Sequence, residues 1–278
     1  MIDLTTDGHA VASIVTVSYG QRPLLARMLG SLAATTARNV EVVLVDNASP
    51  DDTLTWLDQN TSGVRLVDAG RNRGFGQGCN LGLLAASAPI VVFVNTDVVF
   101  AGRWLEPLLE AVQTTGAAAP LSLDGEGNIV EAGGVIDGDG HAHVLTGAGS
   151  PDRRVVAHAS AACLAVARRD LIVVGGFDPA FGMGYHEDVD LLAALATTGI
   201  AVTLDPNARV EHIGGGSFGS ERAGRLAARN HVRSRRRWRW SHPDIYFPGE
   251  VLGADEVPPG AEPVQAHPLL NTTTAIRW

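Results

Sequence analysis

Along its first hundred residues the chain alternates short apolar runs with segments whose apolar positions recur every three or four residues. Residues 11–17 (VASIVTV) are β-branched and apolar, the pattern of a strand buried on both faces. Residues 23–35 follow with Leu24, Leu25, Met28, Leu29 and Leu32 at helical spacing, and Pro23 suits a first turn. Residues 40–45 (VEVVLV) predict a second strand. Ser49 and Pro50 then predict a helix start, as cap and first residue, with Asp51 and Asp52 at its positive end. A third strand at 64–67, a glycine-rich loop, a helix through Ala86 and a fourth strand at 90–94 complete a βαβαβαβ rhythm. That rhythm predicts a mainly parallel sheet wrapped by helices. Ligands in such sheets bind beyond the carboxyl ends of the strands, and Ser18-Tyr19, Asp46-Asn47 and Asn95–Asp97 all follow predicted strand ends.

The second half is less regular. Helices are expected at 102–114, 189–197 and 221–240, and strands at 159–166, 201–204 and 208–212. Residues 125–149, rich in glycine and carrying His141 and His143, read as turns on the surface. Beyond Pro243 prolines accumulate and periodicity fades, so one domain (1–242) and a tail (243–278) are expected.

Composition narrows the chemistry. With 45% hydrophobic and 18% charged residues in 278, the chain is globular. A net charge of -9 argues against wholesale coating of nucleic acid. The polar, acidic amino terminus and the absence of a long apolar run predict no secretory signal and no membrane span, hence a cytoplasmic protein. Cys79 and Cys163 read as small buried thiols. All 21 basic residues are arginine, which excludes both a Walker P-loop and Schiff-base catalysis, since each needs a lysine.

Four constellations carry candidate chemistry. Asn95-Thr96-Asp97 closes an apolar strand, where a carboxylate would hold Mg²⁺ or Mn²⁺, or merely cap the next segment. His186-Glu187-Asp188-Val189-Asp190 precedes a Leu/Ala-rich helix. These acids suit a helix dipole, or one of them serves as a general base. Adjacent carboxylates do not both ionise freely in one pocket, so one carries a raised pKa; spacing does not choose between Glu187 and Asp188. His212, before the glycines 214–216, is either a surface histidine or a nitrogen ligand to a cation held by Asp97. The loop Arg71-Asn72-Arg73-Gly74-Phe75-Gly76-Gln77-Gly78-Cys79-Asn80 invites a dinucleotide reading, but the third glycine of G-x-G-x-x-G falls on Cys79 or Leu81. The alternative is a glycine turn that packs a helix against the sheet.

Together these stretches resemble the family 2 glycosyltransferases of the GT-A fold, and within them the bacterial rhamnosyltransferase-like group. The resemblance runs from about residue 11 to 240 through VTVSYG, VLVDNASPDDT, NRGFGQGCNLG, FVNTD, VGGFDPAFGMGYHEDVDL and VEHIGGGS. It implies an α/β GT-A fold: a Rossmann-like, mainly parallel central sheet flanked by helices, with a nucleotide-binding half (about 10–100) and an acceptor half (about 101–242) holding a smaller antiparallel element. It implies an inverting, metal-dependent transfer of a sugar from a nucleotide diphosphate, dTDP-rhamnose among the candidates, to an acceptor hydroxyl in cell-envelope or other glycan biosynthesis. The acceptor is then a glycan, a lipid-linked sugar or a small molecule. Ser18, Tyr19, Asp46, Asn72, Gly74, Asn80, Asn95, Thr96 and Asp97 would bind the donor. Asp97 and His212 would hold Mn²⁺ or Mg²⁺, and Asp188, with Glu187 beside it, would be the catalytic base. Thr96 stands where this group commonly has proline, and Gly184 and Tyr185 replace bulkier residues. The rival readings are a non-catalytic sugar-nucleotide or glycan binder and an NAD(P)-dependent oxidoreductase.

The basic end, Arg229, Arg233, Arg235, Arg236, Arg237 and Arg239 with Trp238 and Trp240, has two readings. It is a solvated helix face lying over apolar surface, or a peripheral membrane contact with tryptophan at the interface.

Overall fold

A computed structural model describes residues 1–6, 8–36, 39–147, 152–214 and 220–238. The predicted tail, Gly215–Ser217, Arg239 and Trp240 lie outside the described residues. The first half runs β1 (Ile2–Asp3), β2 (Ala12–Ser18), α1 (Arg22–Thr35), β3 (Val40–Asp46), α2 (Thr53–Asn60), β4 (Thr61–Ser62), β5 (Val64–Asp68), α3 (Phe75–Ala85) and β6 (Ile90–Val94). Next come β7 (Val98–Phe100), α4 (Leu105–Thr115), β8 (Gly116–Leu123), β9 (Ile129–Glu131), β10 (Gly134–Ile136), β11 (Ala142–Val144) and β12 (Arg154–Val156). The chain continues through β13 (Cys163–Ala167), α5 (Arg168–Val174), α6 (Glu187–Ala196), β14 (Ala201–His212) and α7 (Ser220–Trp238).

The central sheet has ten strands, ordered β12-β14-β8-β13-β6-β2-β3-β5, with β7 on β14 and β9 on β8. Strands β6, β2, β3 and β5 are mutually parallel. Chain order reverses direction between β2 and β6, which makes that boundary the topological switch point where such sheets hold ligands. The antiparallel component is woven into the same sheet: β13 lies antiparallel between β6 and β8. A separate hairpin pairs β10 with β11.

Period-two alternation gives β2, β3 and β6 two apolar faces each. Ile14, Val42, Leu44, Val92 and Val94 pack with Leu25, Met28, Leu29 and Leu32 of α1 and Leu108 of α4. Val15, Val43, Val91 and Phe93 turn the other way, onto Leu83 of α3, Leu171 of α5, and Leu191 and Leu195 of α6. Each fully buried side chain of this size contributes roughly 1.5–3 kcal/mol. Helix α3 approaches β2 closely because its inner face is glycine: a Cβ at Gly82 would lie 2.2 Å from Val15 Cγ1, and one at Gly78 2.6 Å from Val17 Cγ1. The α3 glycines therefore serve helix–sheet packing, the second of the two readings given above.

Several elements depart from the sequence pattern. Helix α2 begins at Thr53, not at Pro50. Ser49 instead accepts a hydrogen bond from Gly20 N (2.8 Å), and Asp51 Oδ1 accepts one from Thr53 N (3.1 Å). The two late strands are one, β14, broken by a bulge between Asp205 and Arg209. Its partner β8 carries Pro120 opposite Asp205, at the edge of that bulge, where a missing N–H costs least. Residues 125–149 are not all surface turn, since β9, β10 and β11 lie there and Ala132 and Ile136 are buried.

Helix α7 is docked, not solvated along its length. Trp238 is buried and its indole N–H donates to Asp190 Oδ1 (2.8 Å). Arg237 donates to Asp190 Oδ2 (3.0 Å) and Asp178 Oδ2 (2.6 Å). Of the two readings of the basic end, the interfacial one does not apply to Trp238, whose ring is buried in the apolar core. No described helix is long and apolar enough to cross a membrane. Both cysteines are free and buried.

Candidate active site

A cleft of about 420 Å³ opens over the carboxyl ends of β2 and β6. Its lining includes Tyr19, Gly20, Gln21, Asn47, Asn72 and Gly74 from the first half of the chain, together with Asn95, Thr96 and Asp97. Ser160–Ala162, Met183, Gly184, Tyr185, His186, Glu187, Asp188 and His212 close the far side. The groups predicted from three distant stretches, Asp97, Glu187-Asp188 and His212, thus share one cavity.

Strand register explains the first juxtaposition. His212 ends β14 opposite Val98, the first residue of β7, and Ile213 N donates to the Asp97 carbonyl (3.0 Å). Asp97 Oδ1 and His212 Nε2 are consequently 3.4 Å apart. Burial opposes ionisation of Asp97, but the His212 hydrogen bond and charge outweigh it and hold the carboxyl below its usual range. Burial likewise disfavours the His212 imidazolium, and Asp97 reverses the effect and raises its pKa. One carboxylate oxygen and one imidazole nitrogen, side by side on a cleft wall, suit Mn²⁺ or Mg²⁺. Among the described residues no third ligating side chain joins them, so the other ligands of a bound cation would be water and donor oxygens.

The second carboxylate group lies at the start of α6. Gly184, Tyr185 and His186 all have positive φ (145°, 70° and 65°), so the chain enters this helix through a left-handed run. For Tyr185 and His186 that conformation costs about 1–2 kcal/mol each. The run turns the first helical turn into the cleft. Glu187 is buried, and burial first, with the Asp188 carboxylate second, pushes its pKa up to about 8. Burial also pushes His186 down to about 4, only partly offset by Asp188. At neutral pH the wall therefore presents a neutral His186 and a protonated Glu187 immediately before Asp188 in the chain. Glu187 Oε2 and His186 Nδ1 have no hydrogen-bond partner among the described residues. Buried polar atoms left open at a cavity are ready to meet a polar ligand.

A raised carboxyl pKa makes a stability statement. The protonated Glu187 stabilises the fold fully below its unfolded value of 4.5, and that contribution is lost as pH rises through about 8. Glu187→Gln stays neutral throughout. From about pH 6 to about pH 9 the melting temperature of the parent should fall relative to this variant. A difference that stays constant across the range would mean that Glu187 is already ionised at pH 6.

Three residues expected to bind the donor, Ser18, Asp46 and Asn80, are not among those lining the cleft. Ser18 Oγ donates to the Gly20 carbonyl (3.3 Å). Buried Asp46 accepts the Ser49 N–H through both oxygens (3.3 Å each). Asn80 is bonded at both ends to the Phe177 backbone, donating to its carbonyl (2.8 Å) and accepting from its N–H (2.9 Å). These bonds tie the three side chains to the backbone around the cleft. Conversely, Asn47 does face it, and had only its place after a strand to mark it. It donates to Asn72 Oδ1 (3.2 Å) and the Gly74 carbonyl (3.1 Å) and accepts from Arg73 N (3.0 Å), which fixes the glycine loop. Gly74 has φ 83°, and a Cβ there would fall 2.1 Å from the Gly182 carbonyl oxygen. Glu131 was also missed. It is buried behind Ser160, whose N–H it accepts (2.6 Å), and burial raises its pKa.

Comparison with known proteins gives a consistent result. Residues 13–132 match the family described as Glycosyl transferase family 2. The chain is 34% identical over 249 residues to the N-acetylglucosaminyl-diphospho-decaprenol L-rhamnosyltransferase of two Mycobacterium tuberculosis strains, covering 78% of this chain and 81% of the relative. Among solved structures it is similar in fold to GalNAc-T7 with UDP, GalNAc and Mn²⁺ (TM-score 0.66, 19% identity), matching 82% of this chain and 48% of that one. The Pyrobaculum calidifontis mannosyltransferase in complex with GDP-Man and Mn²⁺ aligns with a TM-score of 0.55 at 19% identity, over 81% of this chain and 62% of that one. This chain thus spans about half the length of the first of these structures.

Proposed function

The chain belongs to glycosyltransferase family 2, in its bacterial rhamnosyltransferase-like group, and from that we propose an inverting, cation-dependent transfer of a sugar from a nucleoside diphosphate to an acceptor hydroxyl. The observation that carries the proposal is convergence: Asp97 with His212, and Asp188, line one cleft at the switch point of the sheet. The family sets aside the oxidoreductase alternative.

Each residue then has a role. Tyr19, Gln21, Asn47 and Asn72 line the donor side and receive the nucleotide. Asp97 and His212 are the side chains that would hold a divalent cation, which when bound neutralises charge growing on the departing diphosphate. Asp188 takes the proton of the acceptor hydroxyl as its oxygen bonds to the anomeric carbon and the bond from that carbon to the diphosphate breaks. Glu187 is the poorer base, since at neutral pH it already holds its proton. Protonated Glu187 and neutral His186 offer uncharged hydrogen-bonding partners to a sugar acceptor. Attack from the Asp188 side, opposite the leaving group, inverts the anomeric centre.

The mycobacterial relative's name supports finer choices, L-rhamnose as the sugar and a sugar linked to a polyprenyl diphosphate as the acceptor; a thymidine diphosphate carrier and a place in cell-envelope synthesis complete the proposal. An acceptor on a lipid would place the protein against the cytoplasmic face of a membrane, with exposed arginines of α7 such as Arg233 and Arg236 toward the anionic surface. The deciding experiment is a panel of nucleotide sugars with and without Mn²⁺. The expected result is slow release of nucleoside diphosphate from one donor, dependent on the cation and accelerated by acceptor. A chain that binds a donor tightly yet never releases nucleoside diphosphate would instead be a non-catalytic binder.

A further inference from the structure

The left-handed run ahead of Asp188 needs something to hold it. Four of the five residues 182–186 have positive φ: Gly182 (70°), Gly184 (145°), Tyr185 (70°) and His186 (65°). A backbone bent this way turns its carbonyls out of any helix or strand ladder, and strain of this kind persists only where the surroundings over-determine it. The carbonyls of this stretch converge on one side chain. Asn230 of α7 is fully buried, and its amide nitrogen lies 2.8 Å from the Phe181 carbonyl, 2.7 Å from that of Gly184 and 2.9 Å from that of Tyr185. Its other end is fixed too: Asn230 Oδ1 accepts from Arg229 Nε (2.9 Å), and Arg229 donates a second time to the Phe181 carbonyl (2.8 Å).

We infer that Asn230 is a positioning residue for the transfer reaction: it gathers three carbonyls of the loop before α6 and so sets where Asp188 points. The inference rests on the assignment of Asp188 as base and adds a dependence on a helix that contributes no lining residue to the cleft. Asparagine suits the task because a neutral amide donates to carbonyls while also accepting from a guanidinium. Asn230→Asp has almost the same shape, but in its ionised form it faces the carbonyls with acceptors and no donor. The neighbouring bonds of Asp190 to Arg237 and Trp238 keep α7 attached to α6 when Asn230 is changed.

Two measurements test this on the full chain. In hydrogen–deuterium exchange, Asn230→Asp should speed exchange of a peptide covering residues 181–190 at least tenfold and leave peptides from β2, β3 and β6 as they were. Unchanged exchange at 181–190, or faster exchange everywhere, would overturn the inference whether or not turnover is measured. In the turnover assay kcat should fall tenfold or more, with the donor KM within twofold of the parent. Equal kcat in a folded variant overturns the positioning role and leaves the transferase assignment standing. Should Asn230→Asp not fold, Asn230→Ser, neutral and with one O–H donor left, carries both measurements with a smaller loss in the same order.

Discussion

Asp188→Asn should lower the rate of sugar transfer by about 10³-fold, within the range for removal of a general base, and leave donor affinity unchanged. The substitution is nearly isosteric and replaces the carboxylate that would accept the acceptor proton with a neutral amide that cannot. The residues proposed to receive the donor, Tyr19, Asn47 and Asn72, lie on elements other than α6. The two quantities are separable: initial rates of nucleoside diphosphate release with acceptor present, and calorimetric titration with donor and Mn²⁺. Turnover at the parental rate would remove Asp188 from the mechanism. Turnover lost together with donor binding would point to collapse of the cleft. Glu187→Gln serves as the companion variant. A side chain that already holds its proton at neutral pH loses little when made permanently neutral, so the effect on rate should be far smaller than at Asp188.

Asp97→Ala should lower turnover by about 10²-fold or more and remove the gain in donor affinity produced by Mn²⁺. Asp97 is the anionic half of the pair with His212, and its ionisation is favoured by that partner. Without it the imidazole alone is a poor site for a hard cation. His212→Ala should cost less, because the carboxylate remains. The measurement is donor binding as a function of Mn²⁺ concentration for parent and both variants. Parental Mn²⁺ dependence in Asp97→Ala would move the cation elsewhere in the cleft or out of the mechanism.

The parallel half of the fold is legible because its strands announce themselves. Residues 12–18, 40–46 and 90–94 bury both faces, so β-branched runs mark them directly. The acceptor half is harder for physical reasons. Strand β8 is built from Gly116, three alanines and Pro120, which no propensity marks as a strand; it forms because β13 and β14 supply its partners. Helix α5 is a single short stretch (RRDLIVV) whose β-branched end reads equally as strand.

The site divides in the same way. Asp97, Asp188 and His212 stand out because a carboxylate or imidazole after a strand, or at a helix start, has a chemical reading independent of distance. Asp46 and Asn47 show the limit of that reasoning. Neighbours after one strand point to opposite sides of the wall, and the acid turns inward to Ser49 while the amide faces the cavity. Asn80 has the same ambiguity, since a polar residue on a helix near a ligand loop is as useful to the neighbouring backbone as to the ligand. Asn230 is invisible from sequence, because nothing in an arginine-rich helix shows that three carbonyls from residues 181–185 meet at one of its positions.

Gly74 and Gly182 lean on each other, backbone to backbone, from opposite lips of the cleft. This leaves the family's descendants an uneven field for innovation. On the proposed reading, changes at the exposed Tyr19 and Gln21 would retune which nucleobase is welcomed, whereas the point where the lips touch accepts no added atom. New substrate preferences in this lineage should therefore arise at the mouth, while the throat is inherited unchanged.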